Sequence, residues 1–151
     1  MLDLEAIELI KQLKARYFRF LDTANFDGLQ TVFTADATAH FIGGDYEFEL
    51  AGWDALKDFY QQSFTTETFG MHTGHHPEID VDGETATGIW YLHDIFLSVK
   101  DNHRVMGSAL YRDRYVKSDG VWRIAHTGYE RLYEEVSTIG DDVRITARPV
   151  K

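Results

Sequence analysis

The chain has 151 residues, a formal net charge of −10, 14 % aromatic residues and no cysteine. That length supports one hydrophobic core, and the acidic balance argues against nucleic acid or an anionic membrane surface, both of which are bound through clustered Lys and Arg. The missing thiols remove disulfides, thiolate metal sites and cysteine nucleophiles.

The first residues lack the basic start and apolar run of a signal peptide, and no stretch of about 18 apolar residues occurs. The expectation is a cytoplasmic protein without a membrane segment. So many rings predict a wide interior suited to a small hydrophobic or aromatic partner.

Over residues 4–21, Ile7, Ile10, Leu13, Tyr17 and Leu21 recur at three- and four-residue spacing, with Glu5, Lys11, Lys14 and Arg16 between them, as in an amphipathic helix. Its last turns, Tyr17 to Leu21, are apolar around most of the circumference, so a sheet and a pocket are both expected against them. Residues 25–28 break this helix and 29–33 predict a short second one. A strand follows over 37–42, then Gly43-Gly44-Asp45 turns the chain into 46–50, where Tyr46, Phe48 and Leu50 alternate. Leu56, Phe59, Tyr60 and Phe64 predict a third helix over 53–64.

The second half reads as four strands, at 71–81, 85–97, 104–117 and 121–131, separated by Asp82-Gly83, Asp101-Asn102 and Asp119-Gly120. Helices first and a long antiparallel meander after predict an α+β fold, with one domain over 1–137 and a tail over 138–151. Strands of that length twist and bend, so they must curl around the helices. The aromatic outer face of such a sheet asks for cover, and a homodimer or homotrimer is expected.

Two polar residues stand out of place. Asp22 ends the first helix, where the macrodipole disfavours a carboxylate; it either opens a turn or is compensated by a cation or histidine. His72 lies in Met71-His72-Thr73-Gly74-His75-His76, where an extended chain puts His72, Gly74 and His76 on one face and Gly74 marks a close approach.

A metal reading of His72 and His76 is set aside, because Pro77 and the strand pattern oppose a helix and no acidic third ligand is placed. An Asp bonded to one ring nitrogen would fix the tautomer of a histidine and leave the other nitrogen as a base. Tyr17, one and a half turns before Asp22, is either core packing or a phenol donor at the same mouth.

Tyr17, Asp22, His72 and the closing run Asp119-Gly120-Val121-Trp122-Arg123-Ile124-Ala125-His126 together resemble the SnoaL-like branch of the NTF2-like superfamily, over about residues 4–135. The likeness is to its dehydratases, those of scytalone and of bile acids. It implies a cone in which three helices pack on a strongly curved mixed, mainly antiparallel sheet, with no cofactor and no metal, and usually an oligomer. It also implies a catalytic Asp22–His72 dyad assisted by Tyr17. Phe41 stands about where a dehydratase Tyr holds water, and Thr127 where many relatives carry Arg.

The expected substrate contacts are Phe41, Trp90, Leu92, Thr127 and Tyr129. The implied activity is a lyase reaction, dehydration of a small cyclic or aromatic hydroxy-ketone. A ketosteroid-type isomerase or a binding or subunit role are the alternatives.

Overall fold

The computed structural model describes residues 1–149; Val150 and Lys151, the end of the expected tail, lie outside the described residues. Helix α1 (Leu4–Asp22) starts at Asp3, whose carboxylate accepts the Ala6 N–H at 3.0 Å. Helix α2 (Phe26–Val32) starts three residues before the expected position. Asn25 is its cap rather than a plain break, accepting from the Gly28 N–H at 2.8 Å. Strands β1 (Phe33–Ile42) and β2 (Glu47–Ala51) form the expected hairpin, and α3 (Trp53–Ser63) follows.

Four long strands complete the chain: β3 (Thr68–Asp82), β4 (Thr85–Ser98), β5 (His103–Ser118) and β6 (Val121–Thr138). The last runs seven residues past the expected end, through Leu132-Tyr133-Glu134, because β5 supplies an antiparallel partner as far as His103↔Thr138.

One six-stranded sheet has the order β2-β1-β6-β5-β4-β3, with β1 and β6 parallel and every other pair antiparallel. Register shifts at His75/Glu78, Ser108/Ala109 and Arg114/Tyr115 bend the long strands around the helices. The result is the expected α+β cone. Ile10, Leu13, Tyr17 and Leu21 of α1 are buried on its inner face. The tail returns over the α3–β3 connection, where Arg148 donates to the Thr66 carbonyl at 3.1 Å and pairs with Glu67 at 3.3 Å. No described helix is long and apolar enough to cross a membrane.

The helix pattern misplaces one residue. Lys14 is fully buried instead of sharing the solvent face with Lys11. Its ammonium lies 2.7 Å from Asp113 Oδ2, at an angle short of an aligned hydrogen bond, and is otherwise bounded by ring faces, with Tyr111 at 3.6 Å and Tyr17 at 4.5 Å. Burial lowers its pKa from the ordinary lysine value against the opposing pull of Asp113.

Candidate active site

A cavity of about 420 Å³ opens between α1, α3 and the concave face of the sheet. Its walls differ. Phe41, Phe48, Phe59 and Phe64 make one apolar side, while His72, Asp94, Arg131 and Glu134 line the sheet side and Tyr17, Tyr60 and Tyr111 contribute three phenols.

Asp22 and His72 meet as expected. His72 Nδ1 lies 2.6 Å from Asp22 Oδ1, and the His72 backbone N–H donates to Asp22 Oδ2 at 3.1 Å. An ionised carboxylate only accepts, so Nδ1 carries the proton and Nε2 is left with its lone pair. Those two bonds are the compensation that a carboxylate at a helix C-terminus needs.

The ring of Phe18 stacks on His72 at 5.9 Å and that of Phe64 meets it edge-on at 5.8 Å, which fixes the imidazole plane. Gly74 makes this possible, because a Cβ there would collide with the Phe18 ring. His72 lines the cavity and Asp22 does not, so the carboxylate stands behind the base.

Tyr17 is completely buried, with its hydroxyl 3.2 Å from that of Tyr60 and 3.4 Å from that of Tyr111. Burial pushes the pKa of all three phenols well above the ordinary value, so each keeps its proton at neutral pH. Two mutual contacts use at most two of the three protons, and at least one O–H remains to donate to an oxygen in the cavity.

Of the expected substrate contacts, Phe41 and Tyr129 line the cavity, stacked at 4.9 Å. Trp90, Leu92 and Thr127 do not, which corrects their placement. All three are buried, Trp90 and Thr127 toward the closed end of the cone that holds Asp113 and Leu92 on β4 opposite Ala109. Trp90 Nε1 donates to the Tyr115 hydroxyl at 2.9 Å, and Tyr115 and Thr127 both donate to Asp113, at 2.7 and 2.8 Å. Along β4 the inward residues Trp90, Leu92, Asp94 and Phe96 climb roughly 6.6 Å per pair, and only Asp94 and Phe96 reach open space.

Sequence reasoning missed Asp94, Arg131, Tyr46 and Glu134. Arg131 forms a bidentate pair with Asp94, Nη2 to Oδ2 at 2.8 Å, and its Nε lies 3.1 Å from Glu134 Oε2 and 3.4 Å from the Tyr46 hydroxyl. Burial alone would lower the guanidinium pKa; the bonds and charge of Asp94 overcome this and raise it. Strand parity with Trp90 and with Tyr129 was the available signal for Asp94 and Arg131. His103 also lines the cavity, whereas His40 pairs with Glu47 at 2.7 Å and His126 with Thr38 at 2.7 Å, both away from it.

A SnoaL-like domain model matches residues 2–128. The chain belongs to the SnoaL-like family, within the NTF2-like superfamily. A variant of a Mycobacterium tuberculosis protein of unknown function is 29 % identical, with TM-score 0.72 over 85 % of this chain and 72 % of that one. A candidate scytalone dehydratase from Novosphingobium aromaticivorans is 20 % identical, with TM-score 0.79 over 97 % and 93 %. A type 2 hexachlorocyclohexane dehydrochlorinase is 18 % identical, with TM-score 0.76 over 95 % of each chain. At those last two identities the likeness to this SnoaL-like chain is one of fold.

Proposed function

We propose that this SnoaL-like protein is a lyase that dehydrates a small cyclic or aromatic hydroxy-ketone without a cofactor. The observation that carries the reading is the 2.6 Å contact between Asp22 and His72 Nδ1, with His72, and not Asp22, on the cavity wall. A role limited to binding gives no reason for a tautomer-fixing carboxylate behind a histidine that faces a ligand-sized space. The eliminations named by two of its structural neighbours, a dehydratase and a dehydrochlorinase, belong to the same reaction class.

His72 Nε2 takes the proton from the carbon beside the ketone, and Asp22 stabilises the imidazolium that forms. The electron pair of the broken C–H bond moves into the enolate, whose oxygen receives a hydrogen bond from the Tyr17–Tyr60–Tyr111 cluster. The enolate then expels the β-hydroxyl. His72 returns its proton to that oxygen, so one C–H and one C–O bond break, one C=C forms and one water leaves. A cavity largely walled by phenyl rings strengthens each of these charge-assisted contacts.

The test is a panel of cyclic β-hydroxy-ketones, followed by enone absorbance and by loss of one water in mass spectrometry. His72→Gln and Asp22→Asn, made separately, are expected to lower kcat/KM by about 10²–10⁴ while the melting temperature moves by a few degrees. Turnover that survives both substitutions overturns the dyad. A product of unchanged mass with a moved double bond replaces the dehydratase by an isomerase.

A further inference from the structure

Lys14 stands on α1 three residues before Tyr17 and four before Phe18, so the three side chains share one face of the helix. Tyr17 and Phe18 carry that face into the site. The Tyr17 hydroxyl joins the phenol cluster, and the Phe18 ring stacks on His72, 11° from parallel. One turn below, the Lys14 ammonium meets the same rings from behind, 4.5 Å from the centre of Tyr17 and 5.0 Å from that of Phe18. Its nearest ring is Tyr111, at 3.6 Å.

The opposing strand explains this placement. Tyr111 and Asp113 are two residues apart on β5 and point to the same face. The ammonium meets both, the carboxylate at 2.7 Å and the ring at 3.6 Å. Asp113 gives its oxygens to Tyr115, Thr127 and Lys14, so the cation is the member of the pair turned to the phenols. An ammonium has three N–H donors; with one carboxylate beside it, the rest of its charge falls on ring faces.

Filling the narrow end does not require a charge. An apolar side chain of similar volume in place of a buried ion pair is often neutral or stabilising, and α1 already buries Ile10, Leu13 and Leu21. A cation does what an apolar residue cannot. Against the face of a phenol it attracts the ring's electrons and favours negative charge at the hydroxyl end. Asp113 acts in the opposite sense, helping to raise the pKa of Tyr17, Tyr60 and Tyr111. Lys14 offsets that push from direct contact with two of the three rings. As an enolate forms, its oxygen shares negative charge with the phenol that donates to it, so a cation behind that phenol favours the transition state over the neutral ketone.

We propose that Lys14 is a positioning residue for the phenol cluster, which holds Tyr17 and Tyr111 and strengthens their donation to the negative oxygen formed in the cavity. It touches no ligand, because it does not line the cavity. The assignment deepens the lyase reading and rests on it for the identity of that oxygen.

The test separates charge from packing with a ligand that reports its own ionisation. A nitrophenol titrates near neutrality and its anion absorbs visible light, so the pH at which the bound molecule ionises measures the preference of the cavity for anion over neutral form. The measurement is made in His72→Gln, where the dyad does not titrate beside the ligand. Adding Lys14→Met/Asp113→Asn should lower the anion-to-neutral binding ratio about tenfold, one unit upward in the pKa of the bound ligand. Loosened packing alone would weaken both forms together and leave the ratio unchanged. Tyr115→Phe removes a bond to Asp113 without touching the ammonium, and should leave the ratio within about twofold.

With His72 present, Lys14→Met/Asp113→Asn should lower kcat about tenfold while KM stays nearly unchanged. Lys14→Gln/Asp113→Asn, a neutral pair that can still hydrogen-bond, serves with the same expected shifts if the Met variant does not fold. No binding of the nitrophenol anion by His72→Gln, an unmoved ionisation pH in a folded neutral-pair variant, or an equal shift from Tyr115→Phe overturns the assignment. The two readings fail separately: a moved ionisation pH in a protein that dehydrates no β-hydroxy-ketone removes the lyase alone, and dehydration whose kcat ignores the neutral pair removes the role of Lys14 alone.

Discussion

The two ends of the cone each hold a buried pair of carboxylate and cation, and only one of them faces space. At the narrow end Lys14 and Asp113 are sealed at 0 % side-chain exposure. Both Asp113 oxygens are in use, taken by Thr127 on one side and by Tyr115 and Lys14 on the other. At the wide end Asp94 and Arg131 are almost as buried, yet they border a cavity and keep spare donors and acceptors. Burial and pairing therefore do not mark a site by themselves. Unused hydrogen-bonding capacity beside a void does.

That contrast divides the expected effects of substitution. The largest change in stability belongs at the narrow end, where Lys14→Met strands a carboxylate away from water. Breaking a buried pair in this way costs about 3–5 kcal/mol, or roughly 6–20 °C of melting temperature in a chain of this size. Lys14→Met/Asp113→Asn should recover at least half of the loss, because no bare charge remains. Thermal melts of the two variants check this; equal melting points would show that packing, not charge, dominates there.

A smaller effect sharpens the same division through two tyrosines. Tyr17→Phe removes a phenol at the cavity and should lower kcat by about 10–100-fold, less than the loss of a sole oxyanion donor because Tyr60 and Tyr111 remain. KM should stay nearly unchanged. Tyr115→Phe removes a phenol whose oxygen binds Trp90 and Asp113 at the closed end, and should cost about 1–2 kcal/mol of stability with kcat within about twofold. Steady-state kinetics beside thermal melts separate the two outcomes, and a Tyr115→Phe enzyme as slow as Tyr17→Phe would erase the distinction between wall and plug.

The dyad was legible in the sequence because each member breaks a local rule: Asp22 sits at the wrong end of a helix dipole, and His72 shares a strand face with a glycine. Fold class was legible from the order of periodicities and from the turn pairs between the last four strands. What stayed hidden depends on depth along a strand. Trp90 and Asp94 have the same parity on β4, so alternation puts both inside, but the cone closes over one and opens at the other.

Lys14 was hidden for a related reason. A long polar side chain between apolar ones reads as solvent-facing, and only the position of Asp113, 99 residues later, explains its burial. The continuation of β6 to Thr138 was missed because Leu132-Tyr133-Glu134-Glu135 lacks clean alternation, a consequence of the bulge opposite Ser108.

The smallest expected effect lies outside both ends, at His126 on β6. Its Nδ1 is 2.7 Å from the Thr38 hydroxyl, which donates to it only while that nitrogen is unprotonated. Partial burial first, and then Arg114, lower its pKa below the ordinary 6.5 against the opposing pull of Asp113, and His40 adds a smaller push downward. With a folded pKa below the unfolded one, the unfolded chain binds more protons in the window that ends near 6.5, so stability rises with pH through that window and levels off above it.

The exposed part of the ring keeps the effect small, on the order of one degree of melting temperature. His126→Gln offers Thr38 an acceptor that does not titrate, so it should match the wild type at pH about 7.5 and flatten the climb between about pH 5 and 6.5. Melting curves across that range decide it: a climb that persists unchanged in His126→Gln assigns the pH dependence to other groups. Cavity chemistry should be untouched by the substitution, since His126 is not among the residues that line the cavity.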